Sequence, residues 1–239
     1  MKLALIGYGK MGKMVEAENL LLQHPHDIVL KISSKNPDDL KRLREMGVEV
    51  AIDFSSPDVV LDNIKVCLEQ GIPLVEGTTG WHGQREEVRT WCEQWKGHLV
   101  YASNFSLGVQ LFFALNRHLA GLMKDFPEYK IRIQETHHTD KKDRPSGTAI
   151  SLAEQILAER SDLKQWLPEQ EGSGILPVYS GREPGVTGTH QVSYRSGTDE
   201  ISLQHEAFRR NGFAQGALLA AARIVRRPGF FDFSEILHG

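Results

Sequence analysis

Cysteine is scarce in this chain. Only Cys67 and Cys92 occur among 239 residues, and their spacing gives neither a metal-ligand motif nor a disulfide framework. Both read as core thiols of a reduced, cytoplasmic protein. An excess of charge of one sign is also missing: 28 Lys and Arg against 31 Asp and Glu leave a net charge of −3. That balance argues against a general nucleic-acid binder. Long apolar runs are missing as well, and none approaches the ~20 residues of a membrane helix. The N-terminal run ends at Ile6, short of the ~7–15 apolar residues of a secretory signal core. No internal repeat or low-complexity segment is visible. What remains is ordinary for a folded globular chain, with 40% hydrophobic and 25% charged residues, and excludes a mainly disordered one. The length allows one large domain or two small ones.

Apolar, β-branched runs at residues 2–6, 28–32, 48–54, 73–75 and 98–102 read as strands. Segments 14–22, 58–70 and 84–95 between them have helical character. Strands alternating with helices imply a parallel sheet with right-handed crossovers. The pattern changes after residue 106. The sequence predicts a long helix over 107–123, a strand over 129–134 and a helix over 147–159, then strands at 191–194 and 201–205 around a turn at Ser196-Gly197. The glycine-rich stretch 161–189 reads as one long loop. An Ala- and Gly-rich helix over 212–225 is expected to return to the first domain. The fold class is α/β: an N-terminal Rossmann-type parallel sheet over 1–106, completed by 212–239, and a second α+β domain over 107–211 for substrate binding and oligomerisation.

Gly7-Tyr8-Gly9-Lys10-Met11-Gly12 follows the first strand and opens the first helix, which is the context that gives G-x-G-x-x-G its meaning. Gly7 permits the tight turn, Gly9 lets backbone approach a pyrophosphate, and Gly12 allows close helix–strand packing. Many such sites hold the NAD ribose with an acid about 20 residues later. Here Ser33-Ser34-Lys35 stands in its place. Two hydroxyls and a lysine favour NADPH at least as well as NADH. Two more turns, Gly77-Thr78-Thr79-Gly80 and Ala102-Ser103-Asn104-Phe105, lie at strand ends where ligands gather in open α/β sheets.

The densest polar segment runs from Glu135 to Thr148, at the end of one predicted element and the start of the next. Ser146 or Thr148 can cap the helix that follows, leaving N–H groups for an anion. His137, His138 and Lys141 add positive charge and proton-transfer chemistry, for which histidine's ordinary pKa is suited. Lys142, Asp143 and Arg144 read as solvated charges. The adjacent histidines could be half a metal site, but no third-ligand motif accompanies them and no metal is expected. Acyl transfer through Ser146 lacks a G-x-S-x-G elbow.

Together these motifs resemble the 4-hydroxy-tetrahydrodipicolinate reductase (dihydrodipicolinate reductase) family of diaminopimelate and lysine biosynthesis. The resemblance rests on E-x-H-H-x-x-K-x-D-x-P-S-G-T-A over residues 135–149, the N-terminal glycine motif, Asp53-Phe54-Ser55, Gly77-Thr78-Thr79-Gly80 and Asn104-Phe105-Ser106-Leu107-Gly108-Val109. It implies His137 and Lys141 as the proton-transfer residues. His138, Lys141, Ser146, Gly147 and Thr148 would contact the dicarboxylate substrate. The turns at 7–12, 33–35, 77–79 and 102–105 would contact NADPH or NADH. It also implies a homotetramer. Arg144 and Glu76 depart from the family pattern: Arg144 replaces a small residue, and Glu76 an apolar one, facing either the cofactor or a neighbouring subunit. A different two-domain oxidoreductase and a non-catalytic dinucleotide sensor are the rival readings.

Overall fold

The computed structural model describes residues 1–237; residues 238 and 239, the end of the segment assigned to the first domain, lie outside the described residues. The elements in chain order are β1 (Lys2–Ile6), α1 (Lys10–Leu20), β2 (Asp27–Ile32), β3 (Val50–Asp53), α2 (Val60–Glu69), β4 (Leu74–Glu76), α3 (Arg85–Gln94), β5 (His98–Tyr101), α4 (Leu107–Leu122), β6 (Lys130–His137), α5 (Gly147–Glu159), β7 (Gln165–Pro168), β8 (Ile175–Arg182), β9 (Gly188–Arg195), β10 (Glu200–Ala207), α6 (Asn211–Ile224), β11 (Gly229–Asp232) and α7 (Phe233–Ile236). They form two compact units: residues 1–107 with 211–239, and residues 108–210.

The first unit is a six-stranded parallel sheet in the order β11-β5-β4-β3-β1-β2. Apart from Lys2, the residues of its central strands β1 and β3 are buried, which is why they carry apolar runs rather than alternation. One face packs Ile64, Cys67 and Leu68 of α2 with Val88 and Cys92 of α3. The other packs Val15 of α1 with Ala214, Ala217, Ala220 and Ala221 of α6. The small side chains of α6 let its backbone lie close to the strands. Both cysteines are buried and unpaired, as core thiols. The sequence reading missed β11. It is four residues long, GFFD, and pairs with β5 at the sheet edge; Phe231 and Phe230 face opposite clusters, so no periodicity spans enough residues to announce it.

The second unit holds a five-stranded mixed sheet ordered β10-β9-β6-β8-β7. β6 alternates strictly, Ile131 and Ile133 buried against Arg132 and Gln134 exposed. The buried side packs under Phe112 and Ala120 of α4 and Leu152, Ala153 and Ile156 of α5. The stretch expected to be one long loop over 161–189 instead contains β7, β8 and the first residues of β9. Glycines and prolines there flank and punctuate strands rather than replace them, and Leu176 and Val178 of β8 are fully buried. Tertiary packing overrides the weak local propensity.

Candidate active site

In the first unit, the strand order reverses beside β1, so the turns after β1 and β3 flank the crevice where open α/β sheets bind ligands. Gly7 adopts φ +75°, and a Cβ there would stand 2.3 Å from the Phe54 carbonyl oxygen. No other residue type fits that turn without shifting backbone. Gly77 is pressed equally hard from the other side, since its Cβ would sit 2.1 Å from the Phe54 ring. Phe54 in turn meets Phe105 edge-on, with ring centroids 6.2 Å apart. Phe54 therefore gathers the turns of Gly7, Gly77 and Phe105 into one cluster.

Above Gly9 the space is open, its nearest non-neighbour atom being 4.0 Å from a Cβ position. α1 carries no side-chain N-cap, so the amides of Lys10, Met11 and Gly12 are left for an anion. This chain's own residues thus fit a dinucleotide pyrophosphate. Tyr8 is held to one side: its hydroxyl donates to Glu16, and Lys31 pairs with Glu16 at 2.5 Å. Ser33 is committed locally, its N–H and hydroxyl both donating to Asn36 Oδ1 at 2.9 and 2.8 Å. Asp39 bonds Asn36 and Arg42 in the same loop, while Ser34 and Lys35 are exposed. Of the remaining turn residues, Thr79 and Ser103 are exposed, Asn104 is half-buried, and Thr78, Ala102 and Phe105 are buried.

In the second unit, β6 delivers Glu135 and His137 to its buried side and α5 begins just beyond. Ser146 caps α5, its Oγ accepting the Ala149 N–H at 3.2 Å. The cap takes the Ala149 N–H and leaves the Gly147 and Thr148 amides of the first turn, and a Cβ on Gly147 would meet nothing within 4 Å. That end is open to a carboxylate.

Glu135 organises the cluster. It is fully buried. Its Oε1 accepts the Ser146 N–H at 3.0 Å and the Ser180 hydroxyl at 2.8 Å, and Arg182 Nη1 lies 3.7 Å away. Its Oε2 faces His137 Nδ1 at 3.5 Å and His190 Nε2 at 3.6 Å. Burial alone would raise this carboxyl; contacts from His190, Ser146 and Ser180 outweigh burial and hold it at about 2. His137 moves the other way from the near-neutral titration that sequence logic suggests. Burial, then the neighbouring His190, hold it down at about 4 against the pull of Glu135. In the free protein at neutral pH, His137 is an uncharged imidazole beside an ionised carboxylate.

Lys141 Nζ pairs with Asp143 at 2.8 Å, so Asp143 is a partner rather than a merely solvated charge, while Lys142 and Arg144 are exposed. Arg182 donates to the carbonyls of Lys141 and Asp143 and so ties this loop to β8. His138 is half-buried, with Arg210 Nη2 2.8 Å from its Nε2.

His137, Lys141, Ser146, Gly147 and Thr148 therefore share the end of β6 and the start of α5. Glu135 was legible only as the acid that opens the polar segment, one residue past the strand expected over 129–134; β6 runs on through His137 and buries it. Ser180 and Arg182 were not legible, because they lie in the stretch read as loop, and His190 falls just past that stretch, one residue before the strand expected at 191–194. They also change the metal question: ligand atoms of Glu135, His137 and His190 lie within 4.8 Å of one another, a third-ligand set the sequence did not show.

A Rossmann-type sheet with an open glycine turn, in a chain whose second unit carries proton-handling side chains, defines a nicotinamide-dependent oxidoreductase. Comparison with known proteins narrows the class. The family model described as dihydrodipicolinate reductase, N-terminus, matches residues 1–105, and its C-terminus counterpart matches residues 108–237. The 4-hydroxy-tetrahydrodipicolinate reductase of Christiangramia forsetii is 42% identical over 239 residues, spanning 99% of this chain and 98% of its own. That of Methanoregula boonei is 33% identical, spanning 88% and 79%. The chain belongs to the dihydrodipicolinate reductase family. Among solved structures, a dipicolinate-bound dihydrodipicolinate reductase from Paenisporosarcina sp. TG-14 shares the fold at TM-score 0.80 and 22% identity, over 99% of each chain.

Proposed function

We propose that this protein reduces 4-hydroxy-tetrahydrodipicolinate to tetrahydrodipicolinate in diaminopimelate and lysine biosynthesis, using NADPH at least as well as NADH. The observation that carries the reading is the Glu135–His137–Ser146 cluster, which sets a proton-transfer imidazole beside an open helix start able to hold a carboxylate. Nicotinamide, when bound, would supply a hydride to ring C4 of the conjugated imine that remains once the 4-hydroxyl and a proton of the adjacent ring carbon have left as water. The residues of the chain do the rest. The Gly147 and Thr148 amides and His138 orient one substrate carboxylate. Lys141 exchanges its Asp143 partner for the substrate's negative charge. His137 is neutral before binding; the incoming dianion favours its protonated form, and it then gives that proton to the enamine carbon. Glu135 holds the imidazole in place throughout. The open turn at Gly9 and the hydroxyl and ammonium groups of Ser34 and Lys35 support acceptance of a 2′-phosphate.

No described helix is long and apolar enough to cross a membrane; the cytoplasmic location is part of this proposal and follows from the biosynthetic role assigned above. The exposed edge strand β10 calls for a partner, in keeping with a homotetramer. Small-molecule dicarboxylates, not nucleic acids, are the expected partners.

Pyridine-2,6-dicarboxylate, a planar mimic of the substrate ring, tests the reading. It is expected to compete with substrate. Lys141→Ala is expected to weaken its inhibition about tenfold while raising KM and lowering kcat, since a desolvated charge–charge contact is lost. Non-competitive inhibition, or a Lys141→Ala variant unchanged in all three constants, contradicts the assignment.

A further inference from the structure

Glu76 is the acid that the family resemblance leaves unexplained. It ends β4 and is fully buried. The strand register sets it beside Asp53 of β3 and Tyr101 of β5. Asn63 and Cys67 of α2 face the same layer, and Arg85 of α3 lies over the Tyr101 ring at 4.9 Å. Among the described residues, no Lys, Arg or His pairs with either carboxyl group. Two adjacent carboxylates in an apolar layer do not both ionise.

The hydrogen bonds decide which one keeps the charge. Asp53 accepts from the Ser55 N–H at 2.7 Å and from Asn63 Nδ2 at 2.8 Å, with the Thr78 hydroxyl at 3.5 Å. Glu76 accepts one bond, from the Thr78 N–H at 2.7 Å, through Oε1; its Oε2 is buried without a partner. Burial raises both carboxyls, but the bonds from Ser55, Asn63 and Thr78 oppose it at Asp53, so the charge is favoured on Asp53 and the proton on Glu76. Burial first, and the charge of Asp53 second, push Glu76 well above the usual carboxylate range.

The one bond Glu76 makes is to the turn assigned above to the cofactor. Every polar atom of Thr78 is tied to the framework. Its N–H goes to Glu76, its hydroxyl oxygen accepts the Ser55 N–H at 3.0 Å, and its carbonyl accepts Trp81 Nε1 at 2.9 Å. We propose that Glu76 is a positioning residue for nucleotide binding: as an uncharged acid it accepts the Thr78 N–H and fixes residues 77–79 where the nicotinamide half of the cofactor docks. This rests on the cofactor reading of that turn. Nucleotide contact itself is left to the turn; Glu76 acts through it.

The test compares the full chain with Glu76→Gln and with Glu76→Met, which fills the space but accepts no hydrogen bond; Glu76→Ala repeats the deletion should Met misfold. NADPH and NADH affinities are measured by nucleotide fluorescence, and Thr78 amide exchange is followed in parallel. Glu76→Gln, a neutral isostere, is expected to bind within about twofold of wild type. Glu76→Met is expected to bind about tenfold more weakly, as follows from losing one acceptor for a buried N–H. Its Thr78 amide should exchange faster, and the loss should fall on cofactor KM with kcat preserved. Met binding as tightly as wild type with Thr78 still protected, or Gln as weak as Met, overturns the proposal alone. A wild-type chain that binds neither nucleotide overturns the cofactor reading and this proposal with it.

Discussion

His137→Gln is expected to lower kcat by about 10²–10³-fold, the usual contribution of a positioned general acid. KM for nucleotide and substrate should change little. Glutamine keeps most of the volume and can still face Glu135, so the loss isolates proton transfer from packing. The pH profile sharpens the test. Free His137 titrates at about 4 because burial and His190 disfavour its charge. The kcat/KM profile, which reports the free enzyme, should therefore show no inflection from this group between pH 6 and 7. A wild-type inflection near 6.5 that vanishes in His137→Gln would show that burial and His190 do not hold the imidazole neutral. Stability follows the same logic. Its folded-state pKa lies below the unfolded value, so the native state binds fewer protons between roughly pH 4 and 6.5, and stability rises with pH through that window.

The second large effect is structural. Glu135→Ala is expected to destabilise the protein by about 3–5 kcal/mol, the range for removing one partner of a buried ionic network. The change strands the Ser146 N–H and the Ser180 hydroxyl and leaves the Arg182 guanidinium, on a side chain only 5% exposed, without its acid. Glu135→Gln keeps an acceptor and should cost markedly less. The sign with pH is fixed by the depressed carboxyl. Held at about 2 against an ordinary 4.5, it stabilises the fold above its unfolded pKa, and that contribution is lost as pH falls toward 2. Glu135→Ala should accordingly flatten the acid limb of a chemical-denaturation series measured between pH 2 and 6. An equally steep limb in the variant would assign acid sensitivity elsewhere.

How much of this was legible in sequence depends on the range of the interactions involved. The parallel sheet was readable because each central strand is a short, doubly buried apolar run, as in Leu3–Ile6. The start of α5 at Gly147 was readable because its cap is local: Ser146 accepts from Ala149 three residues on. The proton-transfer cluster was only half visible. Glu135, His137 and Ser146 share one segment, but His190 reaches them through the β6–β9 pairing, where Glu135 stands opposite His190. Arg182 stands beside His137 through β6–β8. Such pairings are set by sheet register, which a lone sequence does not print, and the glycines around them disguise the strands as loop. Glu76 was noticed as an oddity, and its two open surroundings, cofactor or neighbouring subunit, were both misplaced. The structure turns it inward, onto Asp53 and Thr78.

The central claim is the reaction, and one coupled assay tests it most directly. The substrate is formed in situ from pyruvate and aspartate semialdehyde by the preceding synthase, and oxidation of NADPH and NADH is followed at about 340 nm, where only the reduced nicotinamide absorbs. The account predicts synthase-dependent oxidation with both nucleotides, NADPH at least as efficient as NADH. Folded protein that binds nucleotide yet oxidises neither when substrate is supplied would contradict it.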